Sequence, residues 1–219
     1  MATPEAPRIT VRGEAHVETD PELARIAVTV TARGTDRRAT LDDLTRRNAA
    51  VVDLVNGCAG ALDRLETGAL VLTPELGRRG RGEHVRTHHG TVQLTATLTD
   101  FTALGELVTR LADLDLTRVD GPWWSLRPTS PAYARAREEA VRDAVRRARD
   151  YARALGTDLD ALLTLDDTPS DGHVPFGAGS PRMAFAAEAA DVPPLDLQPQ
   201  RQTVTAHVTA GFTLHPPTL

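Results

Sequence analysis

The densest group of chemistry-bearing side chains is Glu83-His84 followed by His88 and His89. Imidazoles and a carboxylate are the donor types that suit zinc and related ions. Their spacing limits what they can do. Glu83 to Thr99 alternates in polarity and reads as a strand. On such a strand His84 and His88 stand roughly 13 Å apart, at about 3.3 Å per residue. His88 and His89 point to opposite faces. One ion could be shared only if a turn folded the segment back or a second subunit contributed. His84, His88 and His89 are therefore the candidate metal ligands, but the expected state is exposed strand histidines with neither metal nor cofactor.

Other groups fail more quickly. Arg78, Arg79 and Arg81 stand between glycines but have no aromatic neighbours on which bases could stack, so a hairpin tip is the better reading. Gly177-Ala-Gly179-Ser180 lacks the glycine that a nucleophile elbow needs two residues after its serine. Asp166, Asp167 and Asp171 lack the spacing and terminal glutamate of a calcium loop. Cys58 follows a helix C-terminus, where the dipole disfavours a thiolate. Lysine is absent and every basic side chain is arginine, which excludes a Walker phosphate loop and Schiff-base chemistry. With no nucleophile–base pair to name, the expectation is a protein that is not an enzyme.

The elements carrying these residues can be read from periodicity. Ile9–Val17 and Leu23–Ala32 alternate and read as a strand pair around a tight turn at Asp20-Pro21-Glu22. Asp36 is a plausible cap for a first helix, with Leu41, Leu44, Val51, Val52 and Val55 as its apolar stripe and Asn56-Gly57 as a left-handed stop. Leu65 to Leu76 is a third strand. Asp100 caps a second helix whose Phe101, Leu104, Leu107, Val108 and Leu111 face inward. Leu116 to Leu126 is a fifth strand holding Trp123 and Trp124. These adjacent rings take opposite faces, one joining the core and the other either covered or serving as an interface anchor.

Ser130-Pro131 opens a third helix that Gly156 closes. It carries alanine at every fourth position, namely Ala136, Ala140, Ala144, Ala148 and Ala152. Residues four apart share a face, so this row allows close approach to a sheet or helix. Its other faces mix arginine with acid. Glu138–Arg142 and Asp143–Arg147 have the favourable order, worth about 0.2–0.5 kcal/mol each. Interleaved acids would repel phosphate, so the surface reads as solvated and self-paired. Ala161–Leu165 is a short strand. Residues 169–199, rich in Pro, Gly and Ala, read as a flexible insert holding Met183 and Phe185. Gln202–Leu214 is a long strand with Val204, Ala206, Val208, Ala210, Phe212 and Leu214 on one face, and must pair with something.

A chain of 219 residues can build a core without disulfide or metal. Its formal charge of -5 argues against a nucleic-acid partner. One cysteine suits a reducing compartment. No basic start followed by an apolar run is visible, and no stretch could span a membrane, so a cytoplasmic location without membrane contact is expected.

Four stretches together resemble the SIMPL-domain family, of the bacterial periplasmic immunogenic protein and Pelle-like-kinase-associated adaptor type. Ile9-Thr-Val-Arg-Gly-Glu-Ala looks like its opening strand, and Asp20-Pro21-Glu22-Leu23-Ala24-Arg25-Ile26 resembles its second. Gly60 to Thr67 followed by Leu70-Val-Leu-Thr-Pro74 looks like its third strand. Ala136 to Gly156 resembles its alanine-repeat helix. The resemblance implies an α+β fold, with helices against antiparallel strands, and a tendency to homo-oligomers. Roles suggested for bacterial members concern stress tolerance and the envelope, and no catalytic residues come with the family. The chain departs from the pattern in lacking a visible secretion signal and in having Leu197-Gln-Pro-Gln-Arg201 before the last strand.

The expectation is thus one SIMPL-like domain over residues 8–215 with largely antiparallel sheets packed by three helices. It self-associates through strand edges, with Trp123, Trp124, Met183 and Phe185 as candidate interface residues. The alternatives are a metal or small-ligand binder completed across subunits at the histidines, and an adaptor that captures a protein partner through the insert.

Overall fold

A computed structural model describes residues 7–78, 83–168 and 195–217, with side chains over the same residues except 77, 78, 83, 84 and 168. Among them the order is β1 (Arg8–Thr19), β2 (Leu23–Gly34), α1 (Arg37–Asn56), β3 (Leu62–Arg78), β4 (Glu83–Leu98), α2 (Phe101–Ala112), β5 (Thr117–Ser125), α3 (Pro131–Ala154), β6 (Leu159–Thr168) and β7 (Gln202–Leu214). Two antiparallel sheets and three helices make an α+β fold. The described residues divide into two compact units, one of 7–20, 127–168 and 201–217, the other of 21–78, 83–126 and 195–200.

The first unit is a three-stranded sheet, β1-β7-β6, covered by α3. β1 and β7 pair without a register shift from Arg8 opposite Thr213 to Thr19 opposite Gln202. The even residues of β7 from Val204 to Leu214 are buried, as are Val11, Ala15 and Val17 of β1. Onto this face α3 lays its alanines, and Ala136, Ala140, Ala144, Ala148 and Ala152 are all fully buried. The reason for alanine is distance. A Cβ on Gly13 would stand 2.1 Å from the Ala140 carbonyl oxygen and 2.6 Å from the Ala144 nitrogen, so helix and strand backbones nearly touch. Ser130 caps α3 with Pro131 in its first turn. Gly156, at φ +67°, closes it. There the Thr157 N–H reaches the Ala152 carbonyl at 3.0 Å and the Gly156 N–H that of Arg153 at 3.1 Å, the paired bonds of a Schellman end.

The second unit is a four-stranded sheet, β3-β4-β2-β5, with α1 and α2 over one face. Its core joins Ile26, Val28 and Val30 of β2 to Val92, Leu94, Ala96 and Leu98 of β4. Leu44, Val51 and Val55 of α1 and Leu104, Leu107 and Leu111 of α2 close it. Asp36 accepts from the Ala39 N–H at 2.8 Å, and Asp100 from Thr102 and Ala103 at 2.9 and 3.2 Å. Residues 195–199, the end of the expected insert, run along α2. The Leu195 N–H donates to Thr109 Oγ1 at 3.2 Å, and Leu197 packs on the core.

Several expectations need correction. β1 and β2 are not paired with each other: β1 pairs with β7, while β2 lies between β4 and β5. Asp20-Pro21-Glu22 breaks the alternation as a hairpin turn would, but β7 offers β1 a twelve-residue partner of matching period. Gly57 is right-handed, at φ −60° and ψ −20°, because the chain goes on turning: the Cys58 N–H bonds to the Val55 carbonyl at 3.0 Å and the Ala61 N–H to that of Cys58 at 2.8 Å. Leu41 is exposed, and Thr40 takes its place against the sheet with its hydroxyl donating to the Asp36 carbonyl at 2.7 Å. β3 and β6 are also longer than their apolar cores suggest.

Candidate functional site

The histidines sit where β4 leaves the shelter of β2. His88 lies opposite Gly34 of β2 and Pro74 of β3, and His89 opposite Arg33 and Thr73. They take opposite faces. His88 shares the parity of the buried Gly90 and is half-buried, with a buried Nδ1 that has no hydrogen-bond partner among the described residues, while His89 is exposed. The His84 side chain lies outside the described ones. Among the described residues no three histidines, cysteines or acids come close enough to hold a metal ion. Beyond His88, the pairing among the described residues is of β3 with β4, out to Arg78 opposite Glu83.

A polar network fixes the root of this ribbon. Thr87 Oγ1 donates to Glu75 Oε2 at 2.7 Å, and an Arg33 guanidinium nitrogen meets the same oxygen at 2.5 Å. The Thr87 hydroxyl, and after it Arg33, hold the Glu75 carboxyl below the usual glutamate range. Apolar side chains flank the network in the open: Leu70, Val71 and Leu76 of β3 and Val85 of β4 are each about half exposed or more, at 59, 48, 52 and 49%.

The tryptophans separate as their spacing requires. Trp124 packs on the core of the second unit and meets Phe101 edge-on at 4.8 Å. Trp123 lies under the Arg25 guanidinium at 5.6 Å. Cys58 is half-buried against the same core, its thiol directed at the Leu54 carbonyl at 3.9 Å. Met183, Phe185, Ser180 and Asp171 lie outside the described residues.

The first unit has an exposed edge of its own. Leu162, Leu163 and Leu165 of β6 are 55, 44 and 47% exposed, although β6 pairs with β7 on one side. No described strand pairs with its other side. Asp166 and Asp167 follow on the same strand, also exposed. The opposite edge of the sheet is β1, where Arg8 and Arg12 are exposed and make no ion pair among the described residues.

One residue escapes sequence reading in kind. Asp143 belongs to the i,i+4 pair with Arg147, formed at 2.9 Å, but it is also buried. It meets Arg146 and accepts the Glu14 main-chain N–H at 3.1 Å. Its place directly beside Ala144 in the alanine row is the trace it leaves in the sequence.

These observations define an α+β protein whose described residues include exposed strand edges at β6, β1 and the β3–β4 ribbon. The SIMPL family model, described as a protein of unknown function (DUF541), matches residues 9–212, and the chain belongs to that family. No curated protein matches it. Among solved structures it is similar to that of a candidate amidohydrolase/peptidase from Burkholderia cenocepacia, with 20% identity over 68% of this chain, 34% of that chain and a TM-score of 0.24. The chain spans about a third of that protein's length. A likeness at that level carries no argument about activity. Among the described residues no helix is long and apolar enough to cross a membrane.

Proposed function

We propose that this SIMPL protein works as a non-enzymatic assembly unit, joining copies of itself through unpaired strand edges. One observation carries the reading. β6 presents Leu162, Leu163 and Leu165 to solvent on a strand whose outer edge has no described partner. Unpaired main-chain groups beside exposed apolar side chains are a template for adding another strand, and monomeric proteins blunt such edges. The β3–β4 ribbon repeats the pattern with Leu70, Val71, Leu76 and Val85. A two-stranded ribbon is marginal in water and gains stability from a third strand or a packed face. Native mass spectrometry at micromolar concentration should show oligomers. A monomer alone under those conditions would count against the reading.

A further inference from the structure

Resting on that self-association reading, we infer which edges meet: β6 of one copy adds to the N-terminal half of β1 in the next. The main chain shows where β1 is open. The Leu214 N–H donates to the Pro7 carbonyl at 2.9 Å, so odd positions bond to β7 and even positions turn outward. At Glu14 the outward N–H is already taken by Asp143. Among the described residues the free stretch is therefore Arg8, Thr10 and Arg12. Beside it lies a groove of about 420 Å³ between Ile9–Arg12 and Arg147 and Tyr151 of α3.

Charge selects the occupant. The free half of β1 carries Arg8 and Arg12, while Arg147 beside it is already paired with Asp143; β6 carries Asp160, Asp166 and Asp167 and no base. Pairing β6 with itself about Leu163 would set Asp160 against Asp166. Pairing β1 with itself about Gly13 would match Arg12 with Glu14, but Asp143 already holds the Glu14 N–H. The mixed pair has neither fault.

The faces agree as well. Leu162 and Leu165 lie opposite Phe212 and Ala210, on the side of the sheet that α3 covers, as do Ile9 and Val11. Asp166 lies opposite Thr209, on the other side, as do Arg8 and Arg12. β1 and β6 both run antiparallel to β7 and hence parallel to each other. A second copy with its helix on the same side thus sets leucine beside isoleucine and valine, and acid beside arginine. Such a contact uses two different edges and repeats from copy to copy.

The test uses two full-length variants, R8E/R12E and D166R, each checked for folding by circular dichroism; Asp167 is left unchanged because it lies opposite Val208, on the side of the leucines. All three positions are exposed. Each variant alone confronts like charges across the contact and should associate about tenfold or more weakly than wild type at low salt. An equimolar mixture restores opposite charges and should recover assembly, read by native mass spectrometry as species alternating the two masses. Wild-type association that neither variant weakens, or a mixture that stays as dissociated as its parts, overturns this pairing and leaves the broader reading standing. A wild type that is monomeric throughout overturns both.

Discussion

Position 13 has no room for a side chain. Gly13→Val would drive a Cβ into the Ala140 carbonyl and the Ala144 nitrogen, main-chain atoms that cannot rotate away. Overpacking of this kind costs about 3 kcal/mol or more, and urea unfolding should register it as a lowered midpoint. Asp143 makes the complementary case. Asp143→Ala leaves the Glu14 N–H without its acceptor and Arg146 and Arg147 without a partner, a loss of about 2 kcal/mol by the same measurement. Asp143→Asn keeps one acceptor oxygen and should lose less. Glu75 offers a titration. Its carboxyl sits below the ordinary range because Thr87 and Arg33 favour the charged form. A depressed folded-state value adds stability that is fully present above the ordinary glutamate range and is lost as pH falls through the lowered value. In Thr87→Val the Glu75 midpoint, followed by carboxyl-carbon NMR, should rise towards that range. An unmoved midpoint would remove Thr87 as the cause.

Helices are the elements most legible in the sequence, because their ends and inner faces are written locally. Asp36, Asp100 and Ser130 cap where their residue types predict, and Gly156 adopts the left-handed form that its place predicts. Gly156→Ala should lower thermal stability by about 1 kcal/mol. Gly57→Ala should cost less, since position 57 is right-handed, and paired melting curves of the two variants compare the termini directly. Strand periods are equally plain, but partners are not. Ile9–Val17 and Leu23–Ala32 alternate, and nothing local says that the first will choose a strand some 190 residues away, as in the pairing of His16 with Thr205. For the same reason the histidines could be placed on a strand, whereas the Arg33–Glu75–Thr87 network across three strands could not be seen. Asp143 could be read as an i,i+4 partner of Arg147 from one helix alone. Its bond to Glu14 needs the sheet.

At the scale of the molecule, antiparallel sheets with helices on one face follow from half-alternating strands and amphipathic helices, and that much was open to sequence reading. The division into two sheets was not, because it depends on which strands pair. What the sheets leave over is the centre of the functional account: an edge at β6, another at β1 and a ribbon at β3–β4, each with exposed side chains beside main-chain groups that lack a described strand partner. The most direct measurement is amide hydrogen exchange across Leu159–Thr168, followed at nanomolar and at tens of micromolar protein. Strand addition predicts that the outward β6 amides slow at the higher concentration while β7, already paired on both sides, does not change. Rates for β6 that are the same at both concentrations, in a sample where larger species are present only at the higher one, would contradict assembly through this edge.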